Sequence, residues 1–148
     1  MIVLLHTHQT PYIRMNKHIL SLLLIWIVLG STVAFAQKKE ISDAESYIRQ
    51  GDSKGLSKYF SETVELNFDG KKQNYSRNQA EFVMKDFFAK NPPKPDGFEN
   101  YHRGNNSGVS YSIVKYASQN GAYRVFMKIK MHQGKHMIDA LDFTLLKE

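Results

Sequence analysis

The chain has 148 residues, a net charge of +6 and no cysteine. This length is enough for one domain. Without cysteine there is neither a disulfide nor a thiolate nucleophile, so the fold must rely on a packed core. The positive charge is modest and spread along the chain, which indicates solubility and argues against nucleic-acid binding.

The residues at 1–36 have the pattern of a secretory signal. A basic segment is followed by the apolar run 19–29 and then by Ala34 and Ala36, the small residues that a signal peptidase accepts before its cut. We therefore expect cleavage after Ala36 and a mature single domain at residues 37–148, exported to the periplasm or secreted.

An uncleaved membrane anchor is the alternative interpretation of the same apolar run. This run of eleven residues, with Ser21 as its one polar side chain, falls short of the roughly 20 that cross a bilayer, so we expect no stable membrane span after cleavage. Met15 could be the true start, because Met1 to Arg14 add nothing that a signal needs. Either start leaves the prediction of export unchanged.

Two helices and a hairpin are predicted at the beginning of the mature chain. The first helix, Glu40–Gln50, carries apolar residues at spacings of three and four: Ile41, Ala44 and Ile48. Asp52 or Ser53 can cap a second, short helix. Strands at Thr63–Phe68 and Lys71–Tyr75 then flank the turn signal Asp69-Gly70.

The clearest helix signal begins at Ser76. Ser76 and Gln79 match a capping box, and an apolar stripe follows at helical spacing: Ala80, Val83, Met84, Phe87 and Phe88. Asn91-Pro92-Pro93 ends the helix.

Four strands are predicted for the rest of the chain: Phe98–Arg103, Val109–Ser118, Tyr123–His132 and His136–Leu146. A loop at Gly104–Gly108 and turns at Asn120-Gly121 and Gln133–Lys135 connect them. One antiparallel sheet with its helices on one face makes an α+β fold. We expect a strongly curved sheet wrapped around the long helix, forming a cone with a pocket at its open end.

Short motifs along most of the mature chain carry a family resemblance: Gly51-Asp52, Leu56, Tyr59-Phe60, Val64-Glu65-Leu66, Tyr75-Ser76, Gln79-Ala80-Glu81, Asp86-Phe87-Phe88, Asn91-Pro92, His102 with Gly104, Tyr111, and Tyr123-Arg124-Val125. Their order resembles the nuclear transport factor 2-like (cystatin-like) superfamily, which includes ketosteroid isomerase and scytalone dehydratase. Within it, the chain resembles an uncharacterised family of exported bacterial proteins known as a domain of unknown function. The resemblance implies the fold and export, and supplies no catalytic residues.

Six residues are candidates for the lining of a ligand pocket in the cone: Tyr47, Phe87, Tyr101, Tyr123, Met127 and Asp139. For Phe87, Tyr123 and Met127, core packing is the favoured explanation. The hydroxyl of Tyr101 would need a partner if it were buried.

Asp139 is the unusual polar residue, because it falls in phase with an apolar stripe: Met137, Leu141, Phe143 and Leu145. A carboxylate in an apolar cavity has a raised pKa and can act as a general acid or base. Ketosteroid isomerase uses carboxylates and a tyrosine in its cone in this way, and the similar pair here would be Asp139 with Tyr101. The alternative is that Asp139 lies at a wet rim or pairs with a lysine on a neighbouring strand.

Metal and cofactor sites find little support in the sequence. His132 and His136 flank a tight turn, but with His102 elsewhere they lack an evident third ligand, and catalytic zinc generally has three. There is no glycine-rich phosphate loop and no Gly-x-Ser-x-Gly elbow. We predict no metal and no cofactor.

A basic and aromatic face is predicted on one strand, at Arg124, Phe126, Lys128 and Lys130. Such a pattern can bind single-stranded nucleic acid, but the predicted export opposes that function. A solvated sheet face, a homodimer interface of the kind common in the resembled superfamily, and a surface for an acidic glycan or lipid remain.

The leading interpretation is an exported, non-catalytic domain that binds a small, partly apolar molecule in the cone. The alternatives are an isomerase- or dehydratase-like enzyme using Asp139 and Tyr101, and an interaction protein that works through its outer sheet.

Overall fold

The computed structural model describes residues 39–147 of the chain. The predicted leader, with its cleavage site after Ala36, lies outside these residues, so cleavage and export stay predictions. Within residues 39–147, no helix is both long and apolar enough to cross a membrane.

The described chain folds into helices and strands in the predicted order. The helices are α1 at residues 39–50, α2 at Ser53–Ser57 and α3 at Arg77–Lys90. The strands are β1 at Phe60–Phe68, β2 at Lys71–Ser76, β3 at Pro93–Asn106, β4 at Val109–Ser118, β5 at Gly121–His132 and β6 at Lys135–Leu145. The α+β class is confirmed.

Both ends of β3 differ from the prediction. The strand begins at Pro93, directly after the prolines that end α3, and continues to Asn106, so the predicted loop at Gly104–Gly108 is wrong. Proline at the start of an edge strand is tolerated because the missing N–H faces away from the partner strand. The pairing of β3 with β4 is interrupted between Pro93 and Phe98 and again at Tyr101, and then continues to Asn106.

The six strands form one curved sheet in the order β2-β1-β6-β5-β4-β3. Neighbouring strands are antiparallel except β1 and β6, which are parallel and bring the first strand beside the last. Helix α3 lies on the concave face and buries Ala80, Met84 and Phe88. The predicted cone around the long helix is therefore confirmed.

Local signals for turns and caps account for most of the element boundaries. Ser76 and Gln79 form the predicted capping box at the start of α3. Three tight turns consist of a residue with positive φ followed by glycine: Asp69-Gly70, Ser107-Gly108 and Gln133-Gly134. Positive φ at both positions matches the twist of the flanking strands.

The turn between β4 and β5 is displaced by one residue from the predicted Asn120-Gly121. Ser118 pairs with Gly121, so the two turn residues are Gln119 and Asn120. The Ser118 hydroxyl accepts a hydrogen bond from the Asn120 N–H at 3.1 Å and donates one to the Gly121 carbonyl at 2.8 Å. This side chain stabilises the turn without requiring positive φ at Asn120.

Two of the register shifts in the sheet are single-residue β-bulges that break the alternation of side chains at predicted site residues. In β6, Ile138 pairs with Ile129 and Ala140 with Lys128, which leaves Asp139 as the extra residue. In β3, Tyr101 is the extra residue between the pairs made by its two neighbours. A bulge moves the residues beyond it to the opposite face relative to a regular strand, and both bulges fall on predicted site residues.

Candidate functional site

The interior of the cone is filled by aromatic side chains. The Phe87 ring of α3 lies 4.6–6.1 Å, between ring centroids, from four rings of the sheet: Phe68, Tyr116, Tyr123 and Phe143. Met127 is 1% exposed beside them. The Tyr123 hydroxyl donates to the Asn91 side-chain oxygen at 3.1 Å. Three of the six pocket candidates, Phe87, Tyr123 and Met127, are thus brought together as core.

Tyr47 of α1 packs against Tyr59 and against Gly55 of α2. Its ring lies 5.9 Å from that of Tyr59 and covers Gly55 so closely that a Cβ there would lie 2.2 Å from the Tyr47 ring. Glycine is required at this position because only a residue without a side chain leaves room for the ring. Through these contacts, the Tyr47 ring holds α1 against α2.

Tyr101 and Asp139 are not neighbours. Tyr101 lies on the edge strand β3 and is 53% exposed, while Asp139 lies on β6, with β4 and β5 between them. Because neighbouring strands are about 4.8 Å apart, the two residues cannot act on one small substrate as a pair within the sheet.

Asp139 has a different environment from the one its sequence phase predicts. The bulge turns it away from Leu141 and Phe143, so the predicted phase is wrong, and its carboxylate lies 2.9 Å from the Lys128 ammonium and 3.0 Å from that of Lys130. Burial acts to raise the pKa of Asp139, but the two lysines outweigh it and lower this pKa below its ordinary value. The position of Asp139 therefore matches the alternative interpretation, in which this residue pairs with a lysine on the neighbouring strand.

A buried polar cluster that the sequence analysis missed surrounds Glu45 of α1. Glu45 is 3% exposed and accepts hydrogen bonds from Asn100 at 2.9 Å and from the Ser112 hydroxyl at 2.6 Å. The Nε and Nη2 atoms of Arg103 also donate hydrogen bonds to the Glu45 carboxylate. The hydrogen bond to Glu45 raises the pKa of the Arg103 guanidinium.

The Glu45 cluster joins α1 to the two strands at one edge of the sheet, β3 and β4. Its acceptor oxygens are satisfied by protein groups, so the cluster resembles a structural anchor more than a reactive site. The sequence does contain a signal for this buried cluster: Glu45 lies four residues after Ile41 and three before Ile48, on the apolar face of the helix. A carboxylate on the apolar stripe of a helix predicts a buried partner.

The three histidines within residues 39–147 are separated from one another. His136 lies 3.0 Å from Glu40, His132 lies 3.6 Å from Asp139, and His102 hydrogen-bonds the Tyr111 hydroxyl at 3.2 Å. Within residues 39–147, no group of three or more His, Asp or Glu side chains is placed to hold a metal ion.

An open cleft of about 580 Å³ lies where the β5–β6 turn meets the start of β1 and of α3. We call it the hairpin cleft; it is lined by Lys58, Ser61, Glu62, Thr63, Arg77, His132, Gln133, Lys135 and Met137. None of the six pocket candidates belongs to it. Its lining is polar, and its cations outnumber its single carboxylate.

The predicted basic face lies on the convex, outer side of the sheet. Lys128 and Lys130 alternate along β5 with the buried Met127 and Ile129. A second recess of about 200 Å³ on this side is lined by Ile113, Arg124, Phe126 and Asp142. The cations and Phe126 therefore share one face, as predicted, although the two central lysines are paired with Asp139.

Comparison with solved structures identifies the fold. A DUF4783 family protein from Bacteroides ovatus is 30% identical and superposes with a TM-score of 0.68, covering 72% of this chain and 94% of its own. Another, from Bacteroides uniformis, is 23% identical over 72% of this chain and 97% of its own, with a TM-score of 0.68. An NTF-2-like protein of unknown function from Silicibacter pomeroyi is 14% identical over 79% and 98%, with a TM-score of 0.56.

The search of curated proteins finds no match. The family profile described as "Domain of unknown function (DUF4783)" matches residues 41–144, from α1 to the end of β6. The expected resemblance to an uncharacterised family with the nuclear transport factor 2-like fold is confirmed, and the chain belongs to the DUF4783 family.

Proposed function

We propose that the protein is an exported, non-catalytic domain that binds a small molecule in the hairpin cleft. The observation that carries the proposal is the contrast between a cone filled by the Phe87 ring cluster and an open recess of about 580 Å³ beside it. That volume falls within the roughly 300–1,000 Å³ of small-ligand sites. The ligand then lies at the rim of the cone, and not inside it.

Two features favour binding over catalysis. Asp139 has a lowered pKa and is held by two lysines, so it remains a carboxylate near neutral pH and is a poor proton donor. Tyr101, its proposed partner, lies on the far edge of the sheet. The isomerase-like alternative would need both groups to reach one substrate.

Export is supported by the leader pattern at residues 1–36, in which a basic segment, an apolar run and two small residues precede Gln37. Mass spectrometry of the protein from the periplasm and medium of a bacterial host tests this part. A mature mass starting at Gln37 is expected; the full-length mass in the membrane fraction would contradict it.

The binding proposal is tested by native mass spectrometry of the purified protein, which we expect to show a co-purifying small molecule. Thr63→Trp places a large ring in the hairpin cleft and should abolish this adduct. Asn74→Trp, at an exposed position on β2, is the matched control and should retain it. An adduct that survives Thr63→Trp would contradict binding in the cleft.

A second candidate function is association through the outer face of the sheet, as a homodimer. The observation that favours it is a pair of half-buried rings, Tyr111 and Phe126, stacked 6.0 Å apart next to Ile113 on that face. Size-exclusion chromatography with light scattering gives the mass directly. A dimer that Ile113→Arg converts to a monomer would support this candidate, and a monomeric parent protein would exclude it.

A further inference from the structure

We propose that the ligand of the hairpin cleft is a phosphorylated or sulfated sugar, held through its tetrahedral oxyanion. This inference rests on the proposed function and names the chemistry of the ligand. It depends on three properties of the cleft: its excess of cations, the orientation of Arg77, and the hydroxyl-binding groups in the same lining.

The cations of the cleft come from three separate elements. Lys58 caps the end of α2, Arg77 begins α3, and Lys135 begins β6. Among the residues that the structure describes, neither Lys58 nor Lys135 forms an ion pair, whereas Lys128 and Lys130 on the same sheet are paired with Asp139. Glu62 is the single carboxylate among the lining residues, so the three cations leave an excess of positive charge around the cleft, and an anion reduces their mutual repulsion.

Arg77 is held in place by the protein backbone. Its Nε donates to the Phe60 carbonyl at 2.9 Å, which orients the guanidinium. The terminal nitrogens of such a group suit two oxygens of a phosphate or sulfate.

The start of α3 increases the positive potential around Arg77. A helix N-terminus normally carries acidic residues that balance its partial positive charge, but the first turn of α3 has none and begins with a cation. A cation in this position is unfavourable for the isolated helix. The departure from the usual pattern is explained if the nearby cleft binds an anion.

The lining of the cleft also includes groups that bind hydroxyls. Glu62 can accept hydrogen bonds, and Thr63 and Gln133 can both donate and accept them. Met137 supplies an apolar surface of the kind that packs against sugar C–H groups. A volume of about 580 Å³ accommodates a molecule larger than an inorganic anion, which points to an oxyanion carried on a sugar.

Isothermal titration calorimetry of the purified protein with glucose 6-phosphate, glucose 6-sulfate and glucose tests the inference. The two charged sugars should bind and glucose should not, and the affinity should fall as salt screens the charges. Inorganic phosphate and sulfate should bind more weakly than the corresponding sugars, since they make no hydroxyl contacts. Comparison of the affinities for glucose 6-phosphate and glucose 6-sulfate shows whether the cleft prefers phosphate or sulfate.

The variant Lys58→Gln with Lys135→Gln should weaken binding of the charged sugars by about tenfold or more. Lys85→Gln with Lys94→Gln removes two exposed lysines outside the cleft and is the matched control for net charge. Equal loss in both double variants would overturn the inference, because it would show a general charge effect. Unfolding midpoints within error of the parent protein would confirm that neither double variant perturbs the fold.

Binding to vesicles that contain an anionic phospholipid is measured as well, because a lipid headgroup could also supply the anion. Binding to such vesicles without binding to any soluble charged sugar would overturn the inference and indicate a lipid surface. If native mass spectrometry finds a neutral adduct lost in Thr63→Trp and no charged sugar binds, the inference fails while the proposed binding function stands. If no ligand of either kind is found, both fail.

Discussion

The inside of the cone and the hairpin cleft are built from opposite kinds of residue. Inside, the Phe87 and Phe143 rings approach to 4.6 Å between centroids, and Phe143 is fully buried. In the cleft, exposed lysines and Arg77 border open space. One region contributes to stability through packing, and the other leaves charges available to a ligand.

This difference teaches that a cone-shaped fold does not by itself provide an internal pocket. A cone can hold its ligand inside only where its side chains leave a hollow, and here aromatic rings occupy that space. The predictions below test whether the interior is structural and the cleft is not, from the largest expected effect to the smallest.

Truncating the core should have the largest effect. Phe143→Ala removes a ring with no exposed surface and should reduce the free energy of unfolding by about 4 kcal/mol, measured by urea denaturation. Phe82→Ala is the matched control, because Phe82 is 69% exposed, and should change it by less than about 0.5 kcal/mol. A small loss for Phe143→Ala would indicate a loosely filled cone and would weaken the comparison.

Removing the buried carboxylate should have the next largest effect. Glu45→Ala leaves Arg103, Asn100 and Ser112 without their common acceptor. The broken buried pair should reduce the free energy of unfolding by about 3 kcal/mol, a value toward the lower end of the usual range because the Arg103 side chain is 37% exposed. Glu62→Ala in the cleft should have almost no effect on stability, and equal losses would contradict the distinction between the regions.

A single core hydroxyl should matter less. Tyr123→Phe keeps the ring beside Phe87 and removes the hydrogen bond to Asn91, so we expect a loss of about 1 kcal/mol by the same denaturation. Tyr101→Phe, at an exposed position, should be neutral. A larger loss for Tyr101→Phe would show that this residue has a partner.

The smallest effect is expected for Asp139, and it depends on pH. Because its pKa is lower in the folded protein than its ordinary value, the charged carboxylate stabilises the fold above about pH 4, and this contribution disappears as the pH falls through the folded pKa. Asp139→Asn should cost about 0.5–1 kcal/mol at neutral pH for these partly exposed pairs and progressively less as the pH falls through the folded pKa. An Asn variant more stable than the parent at neutral pH would contradict the ion-pair interpretation.

The sequence predicted features that depend on neighbours in the chain. The capping box at Ser76 and the start of α3 at Arg77 were predicted, as was the β4 strand at Val109–Ser118, because a cap, a helical stripe and an alternation are local. The parallel pairing of β1 with β6 was not, since it joins strands at opposite ends of the domain and leaves no local pattern.

The site was less predictable than the fold, for two physical reasons. A bulge changes which face a residue occupies without a clear sequence signature, and this reversed the environment predicted for Asp139. The hairpin cleft draws Lys58, Arg77 and Lys135 from three elements, and only the folded arrangement makes them neighbours. Glu45 was the missed residue with a readable signal, because it shares a helix face with Ile41 and Ile48.

The identity of the two edge strands has a consequence for self-association. An open sheet edge can recruit further strands and start aggregation, and proteins oppose this with lysine, proline and irregular edges. The edge strand β2 has six residues and begins with Lys71 and Lys72, while β3 carries Pro93, Pro95 and the Tyr101 bulge. Both edges are therefore poor templates for fibril growth.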